Sequence, residues 1–324
     1  MKISVAVATY NGEKYIEEQL RSIIAQTRPV DEVIISDDQS TDRTRGIIET
    51  FIREHALPWK LITNPEKGLF QNFYHAIQGT SGDLVLLCDQ DDRWLADKVE
   101  RIENVFRLHP EVLCLNTSFS YIDDNGDPIA VEQRKNYANN NLIKGTIEQD
   151  GIVQVPLSDV FCKNISPGMT MAVTRKIIDM YLEHSEKKYI HDWEINCMAA
   201  LVDGLYFYNA VLTEYRIHRG QAVSIASIKK ETIFSKLTRK AQQCRNSLGQ
   251  QLDLLYELKS ICTDPTKTAC LEKAVCFYTL RKAVALQRHR FKWLKEWIEC
   301  HRFGRDWNFD KRYCFIDLLA SFIK

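Results

Sequence analysis

Apolar residues along this chain fall into short unbroken runs, separated by segments in which they recur every three or four positions. Lys2–Thr9 is a β-rich run (Ile3, Val5, Val7), Asn11-Gly12 supplies a turn, and Tyr15–Gln26 has helical periodicity. The unit then repeats. Glu32–Ser36 is an apolar strand that runs into Asp37-Asp38-Gln39-Ser40-Thr41-Asp42, with a helix over about 43–55. Trp59–Thr63 is a third strand, Leu69–Gln78 a helix with Gly68 at its amino end, and Asp83–Cys88 a fourth strand. Runs of four or five apolar residues mark strands covered on both faces. Alternation of strand and helix predicts an α/β fold with a mostly parallel sheet flanked by helices.

Farther on, Ala96–Leu108 reads as an amphipathic helix stopped by Pro110, Val112–Phe119 as a strand, and Asp123-Asp124-Asn125-Gly126-Asp127 as a turn. Residues 132–165 are polar and irregular, with Asn139-Asn140-Asn141, and much of this stretch is expected to be a mobile segment near a site. Met169–Val173 resumes as a strand, Arg175–His184 and Asp192–Leu201 as helices, and Gly204–Tyr208 as a short strand. From Ile228 the pattern is helical to the end, broken at Thr263-Asp264-Pro265, which predicts three or four helices. Two regions follow: an α/β domain over 1–224 and a helical region over 225–324.

Composition sharpens this division. The 324 residues are 45% hydrophobic and 27% charged, enough to bury one large core or two smaller ones. Net charge is zero, yet residues from 225 on carry 20 Lys+Arg against 10 Asp+Glu, while 1–224 carry 23 against 33. A basic helical tail suits an anionic membrane leaflet, nucleic acid, or simply a solvated helix face. No apolar run approaches the roughly 20 residues of a membrane-spanning helix, and the amino terminus lacks the layout of a signal peptide, so a cytosolic protein is expected. Ten cysteines without CxxC pairs, several inside apolar runs (Cys88, Cys114, Cys197, Cys276), read as small buried hydrophobes in a reducing compartment.

The chemistry concentrates where the fourth strand ends. Residues 83–94 read Asp-Leu-Val-Leu-Leu-Cys-Asp-Gln-Asp-Asp-Arg-Trp, so Asp89, Asp91 and Asp92 follow an apolar run directly. Open α/β sheets bind ligands at the carboxyl ends of their strands, and carboxylates there suit a hard divalent cation held together with substrate phosphates. An acidic turn capping the next helix reads the same way. Asp37-Asp38 forms a second acidic strand end on the same inferred edge, so one end would hold a nucleoside and the other its diphosphate. No GxxxxGK[ST] is present and no GxGxxG follows the first strand, which leaves a metal and basic groups to neutralise phosphate.

Taken together, Val7-Ala8-Thr9-Tyr10-Asn11-Gly12, Ser36–Asp42, Asn64 to Asn72 around Gly68, and Cys88-Asp89-Gln90-Asp91-Asp92-Arg93-Trp94 resemble glycosyltransferase family 2. His191-Asp192-Trp193 and Tyr215-Arg216-Ile217-His218 match later motifs of that family in order and spacing. The resemblance covers roughly residues 1–224 and implies a GT-A nucleotide-sugar fold with inverting transfer. It implies that Thr9, Tyr10 and Asp38 contact base and ribose, that Asp89 and Asp91 form the metal-binding pair, and that Asp192 is the general base. Arg216 and His218 would face the diphosphate, His218 as a metal ligand or phosphate donor. Trp193 would wall a sugar face or belong to the core, and Asp92 would back the site or cap a helix. The implied cofactor is Mg²⁺ or Mn²⁺. The implied partners are a dTDP-, UDP- or GDP-linked sugar donor and a glycan or lipid-linked acceptor. The Asp-Gln-Asp-Asp form further resembles members that transfer rhamnose or related sugars onto bacterial surface polysaccharides. The sequence departs from the family at Arg219-Gly220-Gln221 and Ser224, where Asn and Gly usually follow the histidine.

A non-catalytic nucleotide-sugar-binding scaffold would have lost Asp91 or Asp192, and both are present. A nucleotidyltransferase would carry a Gly-rich basic loop after the first strand, and Thr9–Glu13 is not one. Basic and aromatic residues interleave over Arg281–Trp297 (Arg288, Arg290, Phe291, Lys292, Trp293, Leu294, Lys295, Trp297), which suits the membrane of a lipid-linked acceptor or a helical dimer interface. No nucleic-acid partner is expected, because nothing upstream is a nucleic-acid module.

Overall fold

A computed structural model describes residues 1–161, 164–218, 233–286 and Ile298, with side chains of the C-terminal helices described over 247–285. The chain divides into two compact units, Met1–Ile225 and Ala226–Lys324.

In the first unit, β1 (Ile3–Thr9), α1 (Ile16–Ile24), β2 (Glu32–Asp37), α2 (Thr44–Glu54), β3 (Lys60–Thr63), α3 (Leu69–Gln78) and β4 (Leu84–Asp89) follow the predicted alternation. Then come β5 (Arg93–Trp94), α4 (Lys98–Leu108), β6 (Cys114–Ile122), β7 (Pro128–Ile129), β8 (Tyr137–Ala138), β9 (Ile143–Lys144), β10 (Ile152–Gln154) and α5 (Leu157–Val160). A 3₁₀ turn at Gly168–Thr170 leads into β11 (Met171–Thr174), α6 (Arg175–His184), α7 (His191–Leu201) and β12 (Leu205–Arg216).

One sheet runs in the order β10-β12-β6-β11-β4-β1-β2-β3, with β5 on β12 and β7 on β6. Strands β3, β2, β1 and β4 are parallel to their neighbours within that group. Every residue of β1 is buried, as a strand covered by helices on both faces requires. Ile16, Leu20 and Ile23 of α1 and Ile48 and Phe51 of α2 close over Val5, Val7, Val33 and Ile35. The parallel order then breaks: β11 runs antiparallel to both β4 and β6, and β12 is parallel to β6.

Three local expectations change. The strand expected over Gly204–Tyr208 is β12, twelve residues long. Register shifts between Tyr208 and Val211 and between Val211 and Thr213 break its alternation, which hides its second half from a period-2 reading. The polar stretch 132–165 contains the β8–β9 hairpin, β10 paired to β12, and α5. Its consecutive Asn139, Asn140 and Asn141 all take left-handed backbone, with φ 48, 54 and 70°. Their amides pin the turn: Asn139 to Ile165 O, Asn140 to Phe119 O and Asn141 to Glu132 O. The segment is thus stitched to the domain rather than a structureless loop. Finally, Cys276 is exposed, while Cys88, Cys114 and Cys197 are buried thiols as expected.

In the second unit, α8 (Ile233–Ile261) packs against α9 (Pro265–Leu286). Leu248, Leu252 and Leu255 form a buried stripe at helical spacing. Asp264 caps α9, its Oδ1 accepting the N–H groups of Thr266 at 2.7 Å and Lys267 at 3.0 Å, and Pro265 takes the first helical position. These two are the helices described; most of the basic-aromatic stretch, from residue 287 to Trp297, lies outside the described residues.

Candidate functional site

The parallel register brings the acidic strand ends together. Thr9 lies opposite Asp37 on one side and Ala8 opposite Asp89 on the other. Because β11 is reversed, its amino end and the Gly168–Thr170 turn before it reach the same edge. Strand β12 ends there too, Arg216 opposite Ile122.

On the β2 side, Asp38 is buried at 6% exposure and faces loop amides. It accepts the Gly68 N–H at 3.0 Å and the Asn64 side-chain amide at 2.7 Å. Gly68 has φ +141°, a backbone that a side chain rarely adopts, so glycine there lets the chain turn into α3 with its N–H aimed at Asp38. Thr9 is buried, and its hydroxyl donates to Asp37 at 3.1 Å; its carbonyl takes the Asn72 amide at 3.0 Å and the Asp38 N–H at 2.8 Å. Tyr10 behaves differently. It is exposed, with the Lys67 ammonium 5.3 Å from its ring centre, and its backbone is clasped by Gln90, whose Oε1 accepts Tyr10 N–H at 2.8 Å and whose Nε2 donates to Tyr10 O at 2.9 Å. Gly12 makes room for that clasp: a Cβ there would stand 2.2 Å from Gln90 Oε1.

The acid cluster is layered. Asp91 is partly exposed and pairs with His218, Oδ2 to Nε2 at 2.8 Å. The imidazole lies against the Tyr15 ring, centroids 4.6 Å apart. Burial, then the charges of Asp91 and Asp192, push Asp89 up to about 8. Asp92 is fully buried; burial and the two neighbouring acids raise it well above the carboxylate range, and its Oδ1 accepts the Arg216 N–H at 3.0 Å. It is therefore an internal brace and not a helix cap. Lys98 lies buried beneath, brought down to about 7 by burial against the opposing pull of Cys88, Asp92 and Asp89. Its ammonium donates to Met169 O at 2.7 Å and Thr213 Oγ1 at 2.8 Å.

Arg216 does not share the surface position of His218. It is 1% exposed, and its guanidinium donates to Glu18 at 2.6 Å, Asp91 O at 2.8 Å and Asp123 O at 3.1 Å, with the Tyr15 ring 5.1 Å away. Those bonds make it a strut under the Asp91 loop, where the resemblance implied a residue facing the diphosphate beside His218. The chain after Arg216 leaves the sheet, so side-chain alternation does not carry from Arg216 to His218.

Asp192 stands at the first turn of α7, 7% exposed. Burial pushes it up to about 7, against N–H bonds from Trp193 and Gly168 and a side-chain bond from Asn164. Gly168 has no room for a side chain, since a Cβ would lie 2.8 Å from His191 Nε2. His191 itself is stacked on Phe73 at 3.8 Å and driven down to about 3 by burial, which makes it a neutral packing group. Trp193 donates its indole N–H to Val160 O at 2.6 Å, a tether to α5. Among the described residues no three His, Cys, Asp or Glu side chains form a ready-made metal cage. The edge thus offers a carboxylate–imidazole pair, three further acids in Asp38, Asp89 and Asp192, and a set of loop amides. Sequence patterns singled out Asp38, Asp89, Asp91, Asp192 and His218; they missed Gln90, Lys98, Asn164 and Asn196, and only the oddity of a polar Asn inside the apolar face of α7 signalled the last.

Comparison with known proteins fits this arrangement. The family model described as glycosyl transferase family 2 matches residues 4–154. A dTDP-rhamnosyl transferase of Shigella flexneri is 40% identical over 99 residues, 29% of this chain and 34% of that one. An uncharacterized glycosyltransferase of Nostoc is 32% identical over 129 residues, 40% of each chain. A putative teichuronic acid biosynthesis glycosyltransferase of Bacillus subtilis is 29% identical over 168 residues, 48% of this chain and 66% of that one. The matched stretches thus span less than two thirds of these relatives. In fold, the chain is like residues 1–349 of Staphylococcus aureus TarS with UDP-GlcNAc, TM-score 0.59 at 19% identity over 99% of this chain and 89% of that one. It is also like GalNAc-T7 with UDP, GalNAc and Mn²⁺, TM-score 0.56 at 11% identity over 98% and 57%. The matched stretch, residues 4–154, holds β1 to β10 and the acidic strand ends, so that part of the chain is similar to glycosyltransferase family 2.

Proposed function

We propose that the chain is a metal-dependent inverting glycosyltransferase that moves a sugar from a nucleoside-diphosphate donor to a hydroxyl of a glycan or lipid-linked acceptor of a bacterial surface polysaccharide. The observation that carries this reading is the separation of acids on one sheet edge: Asp91 paired with His218, and Asp192 apart from them on α7, poised near neutral pH. A general base works best when its pKa lies near the operating pH. Asp192 takes the proton of the acceptor hydroxyl as that oxygen attacks the anomeric carbon from the side opposite the leaving diphosphate. Asp38 and the exposed ring of Tyr10 bind ribose and base; Thr9 shapes that pocket through its carbonyl, and Arg216 holds the Asp91 loop in place.

Asp91, Asp89 and His218 would hold the divalent cation. Two carboxylates suit Mg²⁺ or Mn²⁺, and an imidazole in the set favours Mn²⁺. When bound, the cation offsets negative charge building on the departing diphosphate. Rhamnose is the first candidate sugar, supported by the Asp-Gln-Asp-Asp run and by the relative named as a dTDP-rhamnosyl transferase. The name of the Bacillus subtilis relative supports a surface-polymer acceptor, which would place the chain at the inner face of the membrane.

Release of nucleoside diphosphate from a panel of dTDP-, UDP- and GDP-sugars, with Mg²⁺ or Mn²⁺, tests the reading. One donor should turn over slowly in a metal-dependent way, and Asp91→Ala should abolish it. Absence of donor binding by calorimetry at any metal concentration would overturn the site.

A further inference from the structure

Asn116 on β6 and Asn196 on α7 are wholly buried side-chain amides. Amides in such places cost stability unless their donors and acceptors are matched. Here they form a line. Asn116 Nδ2 donates to Asn196 Oδ1 at 2.7 Å, and Asn196 Nδ2 donates to Asn164 Oδ1 at 2.9 Å. Asn164, between α5 and β11, bonds through its side chain to Asp192. An amide carries its acceptor and its donors on opposite arms of one fork. Once Asn196 has taken the oxygen of Asn164, the arm left for Asp192 is the NH₂ group, the one a carboxylate accepts. Reversing Asn164 would set an oxygen against the carboxylate and the NH₂ against Nδ2 of Asn196. Asn164 Oδ1 also accepts the Ile165 N–H at 2.9 Å, so the direction of the last bond is set by that backbone donor together with Asn196, on a helix whose neighbouring positions Ile195, Cys197 and Met198 are all apolar and buried.

We infer that Asn116, Asn196 and Asn164 form a positioning relay that fixes the donor arm of Asn164 toward Asp192 and so holds the carboxylate in one orientation. The inference rests on the reading of Asp192 as the general base. The relay leaves donor binding alone, because none of its members belongs to the Asp38 or Asp91 side of the edge. It acts where proton transfer needs a fixed line between base and hydroxyl. The other groups around Asp192 are Asp89 at the end of β4, Tyr181 on α6 and His191 and Glu194 on its own helix, and the test leaves all of them intact.

The test uses the full chain as wild type, Asn164→Ala, Asn196→Leu and Asp192→Asn. Carboxyl ¹³C NMR of Asp-labelled protein gives the Asp192 titration midpoint, assigned by its loss in Asp192→Asn, and nucleoside diphosphate release from whichever nucleotide sugar the wild type turns over gives kcat and KM. Loss of a hydrogen bond to the charged form should raise the midpoint by about one pH unit in both relay variants and lower kcat by about 10-fold to 100-fold, with KM for the donor within about twofold. Asn164→Ala lies outside the buried interior and serves if Asn196→Leu fails to fold. An unchanged midpoint and kcat in folded Asn164→Ala would overturn the relay. Full activity in Asp192→Asn would instead overturn the base, while the NMR midpoint would still judge the relay.

Discussion

Asp192 shows how burial and function pull against each other in one side chain. Its folded pKa is about 7 against an ordinary 3.8. Between those values the folded state holds a proton that the unfolded state has lost, so folding stability drops as pH rises from about 4 to 7. Asp89, raised to about 8, adds a fall of the same sign. Lys98 runs the other way: depressed to about 7 from 10.5, it has lost in the folded state a proton that the unfolded chain keeps, so its contribution rises with pH above 7. The melting temperature of the metal-free chain should therefore decline between pH 5 and 7, less steeply in Asp192→Asn, which should melt higher than wild type at pH 7. Thermal scans across that range check this, and identical slopes for the two proteins would contradict it. The same substitution should lower turnover by roughly 10²–10⁴-fold, the usual contribution of a general base.

At the scale of elements, the site depends on loops pinned to one another rather than on any single motif. Gln90 joins the end of β4 to the end of β1, and its place exists because residue 12 is glycine. Gly12→Ala should push Gln90 aside and weaken donor binding about tenfold, the value of roughly one or two hydrogen bonds, while the chain still folds because a flexible side chain does the yielding. Calorimetric donor titration beside a urea melt separates the two effects. Gly82 offers the opposite case at the far end of the same strands. A Cβ there would lie 2.8 Å from Ser4 N and 2.9 Å from Lys2 O, atoms of the backbone that cannot step aside. Gly82→Ala should cost about 1–3 kcal/mol in urea unfolding yet leave kcat of the folded fraction near wild type.

For the whole molecule, the division into Met1–Ile225 and Ala226–Lys324 leaves every residue of the proposed site in the first unit. Deleting residues 226–324 should leave donor binding largely intact and reduce membrane association or self-assembly. Sedimentation and partition onto anionic vesicles measure this, and a truncated chain with both unchanged would count against a docking role for the basic tail. No helix among the described residues is long and apolar enough to cross a membrane.

Much of this protein is written locally. Short apolar runs ending in Asp37-Asp38 and Asp89-Gln90-Asp91-Asp92 are enough to place two acidic strand ends on one edge, because parallel strands joined by helices must all point their carboxyl ends the same way. Asp264-Pro265 marks a helix start for an equally local reason, cap oxygen and fixed φ. What only the tertiary structure decided are relations between distant segments. Reversal of β11 between β4 and β6 carries the Gly168 turn, and with it Asp192, to the edge that the parallel strands had prepared. Two register shifts in β12 conceal the strand that delivers Arg216, and burial converts that arginine from an expected phosphate contact into a strut. Beyond the polar Asn196 within the apolar face of α7, the amide line behind Asp192 has no sequence signature: its members lie 48 and 32 positions apart, since Asn116, Asn164 and Asn196 come from a strand, a loop and a helix. Periodicity reports which face of an element is buried, and hydrogen-bond direction inside a core depends on which elements that burial brings together.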